Sequence, residues 1–163
     1  MPAPERLAAA LRQDGFEPVP AEAQLPVPQG LAFLGVKDNW GSLVTCSLAL
    51  ADGLGSDGIA QLAARYHELI EAQLAHTGHL RVPAPGRAVD VRLGSFGVLC
   101  LVFERGCSAE QLAAAREAKR IAVKDKASTV VWAVDVPSRK VHRHKGLPLG
   151  VIPKPQVLEG ALA

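Results

Sequence analysis

Few residues of this 163-residue chain have the type and spacing to do chemistry: two histidines near the C-terminus, three cysteines, two strand carboxylates and one glycine-rich run. His142-Arg143-His144 has metal-site spacing, because residues two apart on a strand point to one face and both imidazoles could reach one ion. Arg139, Lys140, Arg143 and Lys145 surround the pair and would repel a dication. No Cys, Asp or Glu lies beside it in sequence, so no metal and no other cofactor is expected. His76 and His79 are separated by Gly78, which breaks the helix that would align them. Cys107 stands one residue ahead of a helix cap, where the helix dipole and Arg105 would lower a thiol pKa, but a catalytic thiol also needs a histidine that the sequence cannot place. Cys46 and Cys100 lie in apolar strands and read as core. Gly53-Leu54-Gly55-Ser56-Asp57-Gly58 lacks the Gly-Lys-Ser/Thr ending of a phosphate loop, and Asp52 and Asp57 would repel phosphate, so it reads as a turn. No catalytic residue is assigned.

Asp90 and Glu104 fall on two strands read as one hairpin, the arrangement that hydrolytic chemistry by paired carboxylates needs. At the level of topology this resembles nucleases of the restriction-endonuclease type, which follow such an Asp with a Glu-X-Lys triplet on the next strand. Here Arg105-Gly106 follows Glu104. The lysine is missing at its place, and Lys119 or Lys126 on the following helix is the substitute the resemblance would require.

The charge distribution is sharper than any motif. Residues 1–104 carry 7 Lys+Arg against 11 Asp+Glu, a net of −4, whereas residues 105–145 carry 10 against 4, a net of +6. Arg116, Lys119, Arg120 and Lys124 line a helix and its end, and Arg139, Lys140, Arg143 and Lys145 follow on a hairpin. Such a set suits an acidic protein surface or a phosphate backbone. Aromatic residues make up only 4% of the chain, and Trp132, the segment's one aromatic, sits between Val131 and Ala133 in an apolar strand. Base stacking on single strands is therefore disfavoured.

These residues need elements to position them. Pro4–Gln13 reads as a helix, and residues 18–30, with Pro18, Pro20, Pro26 and Pro28, as a connector. Leu31–Val36 and Leu43–Leu50 form a hairpin. Ile59, Leu62, Ala63, Tyr66, Leu69, Ile70 and Leu74 fall on one face of a second helix, capped by Ser56 or Asp57. A break at Pro83–Gly86 precedes a hairpin of Val89–Leu93 with Gly97–Glu104. A capping box at Ser108–Gln111 opens a third helix to about Lys124. Thr129–Val136 and Val141–Lys145 form a last hairpin, and residues 146–163 an extended tail. The order helix-ββ-helix-ββ-helix-ββ predicts an α+β domain spanning 1–163, with a mostly antiparallel sheet. Similar Gln-Leu-Ala-Ala runs at 61–64 and 111–114, each after a strand with a Cys, suggest a duplicated ββα unit.

At 48% hydrophobic and 21% charged the chain can bury a core, and disorder is excluded. No apolar run approaches the ~18 residues of a membrane span, and the start lacks the basic and apolar regions of a signal peptide. Three cysteines cannot all pair, which fits a reducing cytoplasm and free thiols. Three functions follow from the residues. The leading one is a non-catalytic interaction domain that binds another protein or itself as a homodimer; the small ββα arrangement is similar in topology to Roadblock-type scaffolds. The others are a nucleic-acid-binding protein using 116–145, and a diverged hydrolase around Asp90 and Glu104.

Overall fold

The structure is a computed structural model that describes residues 1–19, 25–39, 42–77, 79–92, 94–121, 127–143 and 153–163. A mixed six-stranded sheet runs β1 (Glu17–Pro18), β2 (Leu31–Asn39), β3 (Ser42–Leu50), β6 (Ser95–Phe103), β7 (Ala127–Asp135), β8 (Lys140–His142). Three of its five pairings are antiparallel, while β3–β6 and β6–β7 are parallel. β3, β6 and β7 therefore all point the same way. Each return between them needs a crossover, supplied by α2 (Ser56–Leu74) and α3 (Ala109–Glu117).

Strands covered on both faces read as near-continuous apolar runs, and Val98–Phe103 and Val130–Val134 are such runs, fully buried. One face packs Val44, Cys46, Leu48, Val98, Cys100, Val130, Trp132 and Val134 under α1 (Ala3–Gln13) and α4 (Pro155–Leu162), through Leu7, Leu11, Leu158 and Leu162. The other packs Leu99, Leu101, Phe103, Val131 and Ala133 under α2 and α3, through Ile59, Tyr66, Leu69, Ile70 and Ala115. The fold is α+β, with four helices among the described residues.

Four expectations change. The strand at Val89–Leu93 does not pair with Gly97–Glu104. Instead β5 (Arg87–Arg92) pairs with β4 (His79–Ala84) in a separate two-stranded sheet; of the break expected at Pro83–Gly86, Pro83 and Ala84 are strand and Pro85 and Gly86 make the turn. β6, freed from that hairpin, lies between two parallel neighbours, so the strict ββ-helix alternation and the duplicated ββα unit are not present as drawn. Residues 155–162 of the expected tail form α4, started by Pro155 at its first turn and buried through Leu158 and Leu162. Helix α3 ends at Glu117, short of Lys124; Ala118 caps it and Arg120 then bridges to Thr129 of β7. Lys124, His144, Lys145, Gly78, residues 20–24 of the connector and 146–152 of the tail lie outside the described residues. Among those described, no helix is long and apolar enough to cross a membrane.

Candidate functional site

The carboxyl ends of β3, β6 and β7 come together at the amino end of α3, the edge of a parallel sheet where loops and helix termini assemble binding sites. Its wall is a set of local bonds. Asp52, just past β3, accepts the backbone N–H of Glu104 at 3.2 Å and of Arg105 at 3.0 Å, fixing the turn after β6. Ser108 and Gln111 close the expected capping box, and the Gln111 amide donates to the Leu54 carbonyl at 2.9 Å. Gly106, at φ +93°, turns the chain between β6 and the cap in a conformation costly for other residues. Asp52 and the glycine-rich run thus brace this edge, in keeping with their reading as a turn.

Three half-buried side chains meet there. Cys107 follows Gly106. Asp135 closes β7, on the face of Val131 and Ala133 that α3 covers. His142 lies on β8 opposite Ala133, and partners opposite each other in an antiparallel pair share a face. One donor atom from each, the Cys107 sulfur, an Asp135 carboxylate oxygen and a His142 ring nitrogen, lies within 4.8 Å of the others. The Cys107 Sγ is 4.0 Å from Asp135 Oδ2, while Asp135 Oδ1 accepts the Ser138 backbone N–H at 3.3 Å. The sequence marks Cys107 and His142 separately but gives no sign that they meet, and it passes over Asp135.

The thiol is not activated as the sequence suggests. Burial, then the facing Asp135 carboxylate, push the Cys107 pKa up. A thiol held protonated, with a carboxylate rather than an imidazole against it, is poorly arranged for nucleophilic attack. Cys46 and Cys100 are buried side by side, and burial followed by the neighbouring thiol raises Cys46 well above its usual value. All three cysteines are unpaired in the structure.

Asp90 and Glu104 are not brought together by the sheet. Asp90 lies on β5 in the small hairpin, which leads into the amino end of β6, whereas Glu104 follows its carboxyl end. The nine residues of β6 between those ends span about 30 Å.

The basic residues form a flank rather than a pocket. Arg116, Lys119 and Arg120 are exposed at the end of α3, beside the amino half of β7. Arg139 and Lys140 are exposed at its far end, and Arg143 just after β8. The bridge from Arg120 to Thr129 and the pairing of Lys140 with Asp135 set the two groups six β7 residues apart, about 20 Å. Among the described residues, the Arg116, Arg120, Arg139, Lys140 and Arg143 side chains make no ion pair; the one pair seen joins His67 and Glu71. Trp132 is fully buried, and no described aromatic side chain is exposed. On the backbone edge beside this flank, the Val141 N–H donates to Glu159 Oε1 of α4 at 3.2 Å and is not free for a visiting strand.

A buried polar band at the amino ends of the strands has no counterpart in the sequence reading. His67 Nδ1 lies 2.8 Å from Thr129 Oγ1, and its Nε2 3.0 Å from Glu71 Oε1. The Tyr66 hydroxyl reaches the carbonyls of Thr45 (3.2 Å) and Val98 (3.1 Å), and the Thr45 hydroxyl bonds Gln73. These partners satisfy one another and tie α2 to three strands, a structural role. Cavities of about 490 Å³ beside Gln73 and His76 and about 670 Å³ along α1 near Leu50 include neither the Cys107 trio nor the basic flank in their lining. No protein-family model, curated protein or solved structure matches the chain.

Proposed function

We propose that this chain is a non-catalytic binding module that docks an acidic protein surface on the flank formed by the end of α3, the β7–β8 turn and Arg143. The observation that carries the reading is the set of five exposed cations, Arg116, Arg120, Arg139, Lys140 and Arg143, that no described carboxylate neutralises. Unpaired surface charge is otherwise a cost in self-repulsion, and an acidic partner removes it while steering association.

A protein partner suits the flank better than a nucleic acid. The cations sit in two groups about 20 Å apart with Glu117 among them, a discontinuous pattern, whereas a duplex presents phosphate charge without gaps. No described aromatic is exposed to stack a base. Among the described residues, large exposed apolar side chains are limited to Met1, Val27, Leu50 and Ile121, from four separate segments that form no apolar patch.

Fluorescence anisotropy with a labelled Glu-rich peptide and a duplex DNA of matched charge tests the reading. At ~50 mM salt, where surface electrostatics are weakly screened, the peptide should bind and the duplex should bind less tightly. The double variant Arg120→Glu, Arg143→Glu should lose most peptide affinity and keep its melting temperature, since exposed charges are worth under ~1 kcal/mol to folding. Tighter duplex binding, with a log–log salt slope near −0.9 per phosphate, would overturn the proposal in favour of nucleic acid. Failure to bind either probe would overturn both.

A further inference from the structure

The trio at the carboxyl edge fits neither an activated thiol nor a plain surface cluster. Its donors are a sulfur, a carboxylate oxygen and an imidazole nitrogen, the mixture that borderline-soft divalent metals take. A tetrahedral zinc, with bonds of about 2.0–2.3 Å, sets such donor atoms about 3.3–3.7 Å apart. Here they lie within 4.8 Å and the sulfur–oxygen separation is 4.0 Å. Small rotations of three half-buried side chains close that gap.

The charge balance answers the objection that Arg139 and Lys140 would repel a cation. A thiolate and a carboxylate together cancel a dication, so the loaded site is neutral where His142 and His144 alone would leave two uncompensated charges. The carboxylate is also held for the purpose: the Ser138 N–H on Asp135 Oδ1 leaves Oδ2 facing the sulfur, the outer support that metal-binding carboxylates usually have.

We propose that Cys107, Asp135 and His142 form a site for a divalent transition metal, zinc by preference, with the fourth coordination position left to water. The three ligands come from the start of α3, the end of β7 and β8, so the ion would clamp the edge strand and its turn onto the sheet. The donors are none of the cations of the basic flank, so metal binding and partner binding are read out separately.

The test uses full-length protein, stripped with chelator and kept reduced. Cobalt(II) should bind with one ion per chain and give tetrahedral visible bands plus a sulfur-to-cobalt charge-transfer band. Zinc should displace it, raise the melting temperature and protect Cys107 from alkylation, as read by mass spectrometry. Cys107→Ser should abolish the charge-transfer band. Asp135→Asn and His142→Gln should each weaken zinc by at least about 100-fold, and His144→Gln should not. If a variant misfolds, the wild-type cobalt spectrum and the alkylation pattern still decide. A cobalt complex without the sulfur band, zinc binding undiminished by Cys107→Ser, or loss of binding on His144→Gln alone would overturn the site.

Discussion

Trp132 decides whether the argument against base stacking stands, and it can be tested by size and by polarity separately. The indole is fully buried in the middle of β7, on the α1/α4 face beside Cys100, and its N–H has no acceptor among the described residues. A buried Trp hides about 150–250 Å², which at ~25 cal/mol per Å² is about 4–6 kcal/mol. Trp132→Ala should therefore cost about 3–5 kcal/mol, a large share of the about 5–15 kcal/mol that holds a typical domain together. Trp132→Phe keeps most of the apolar area and removes a donor whose unsatisfied burial costs about 1–3 kcal/mol. The lost ring volume and the relieved donor offset each other, and the change should cost less than about 1.5 kcal/mol. Urea melts at constant m-value measure both. A Trp132→Phe cost near that of alanine would show that the N–H is bonded and that burial alone does not hold the residue. A Trp132→Ala cost below ~1 kcal/mol would place the indole at the surface and reopen single-strand recognition.

Gly97 faces α2 so closely that an added Cβ would stand 2.5 Å from Ile70 Cδ1 and Cγ1 and 3.0 Å from Tyr66 Cε1. Gly97→Ala should cost about 1–3 kcal/mol by chemical denaturation, and Ile70→Ala should remove most of that cost in a double-mutant cycle, whereas additive effects would refute the clash. Tyr66 is the chain's one tyrosine, and burial, then the Cys46 thiol, raise its pKa well above 10. The unfolded chain then releases the phenol proton first, so stability holds below pH ~10 and falls as pH rises beyond it; tyrosinate absorbance should appear only with unfolding, and its appearance in folded protein near pH 10 would contradict the burial. Arg139 closes the β7–β8 turn at φ +56°, a left-handed conformation costing a side-chain residue about 1–2 kcal/mol. Arg139→Gly should therefore be neutral or stabilising in thermal melts, and a clear loss would mean that its side chain has a structural partner.

Local pattern alone fixed much of this protein. The amphipathic spacing of α1 and α2, the capping box of α3, the β2–β3 and β7–β8 hairpins and the apolar runs of β6 and β7 all follow from residues close in sequence, where periodicity and turn chemistry act. The +6 charge of residues 105–145 was equally legible, because composition needs no geometry. Strand partnership was not. The sequence allows β5 to pair forward with β6 or back with β4; it pairs back, and β6 takes β3 and β7 as parallel neighbours with its apolar residues covered on both faces. α4 was hidden behind its prolines, since its helix depends on burying Leu158 and Leu162 against α1 and the sheet rather than on strong local propensity. The meeting of Cys107, Asp135 and His142 lay furthest out of reach. It requires β6 and β7 to run parallel, so that the start of α3 and the end of β7 share one edge, and it requires β8 to fold back with His142 on the side α3 covers. Those are facts of register and crossover, set by long-range packing that no short stretch of sequence encodes.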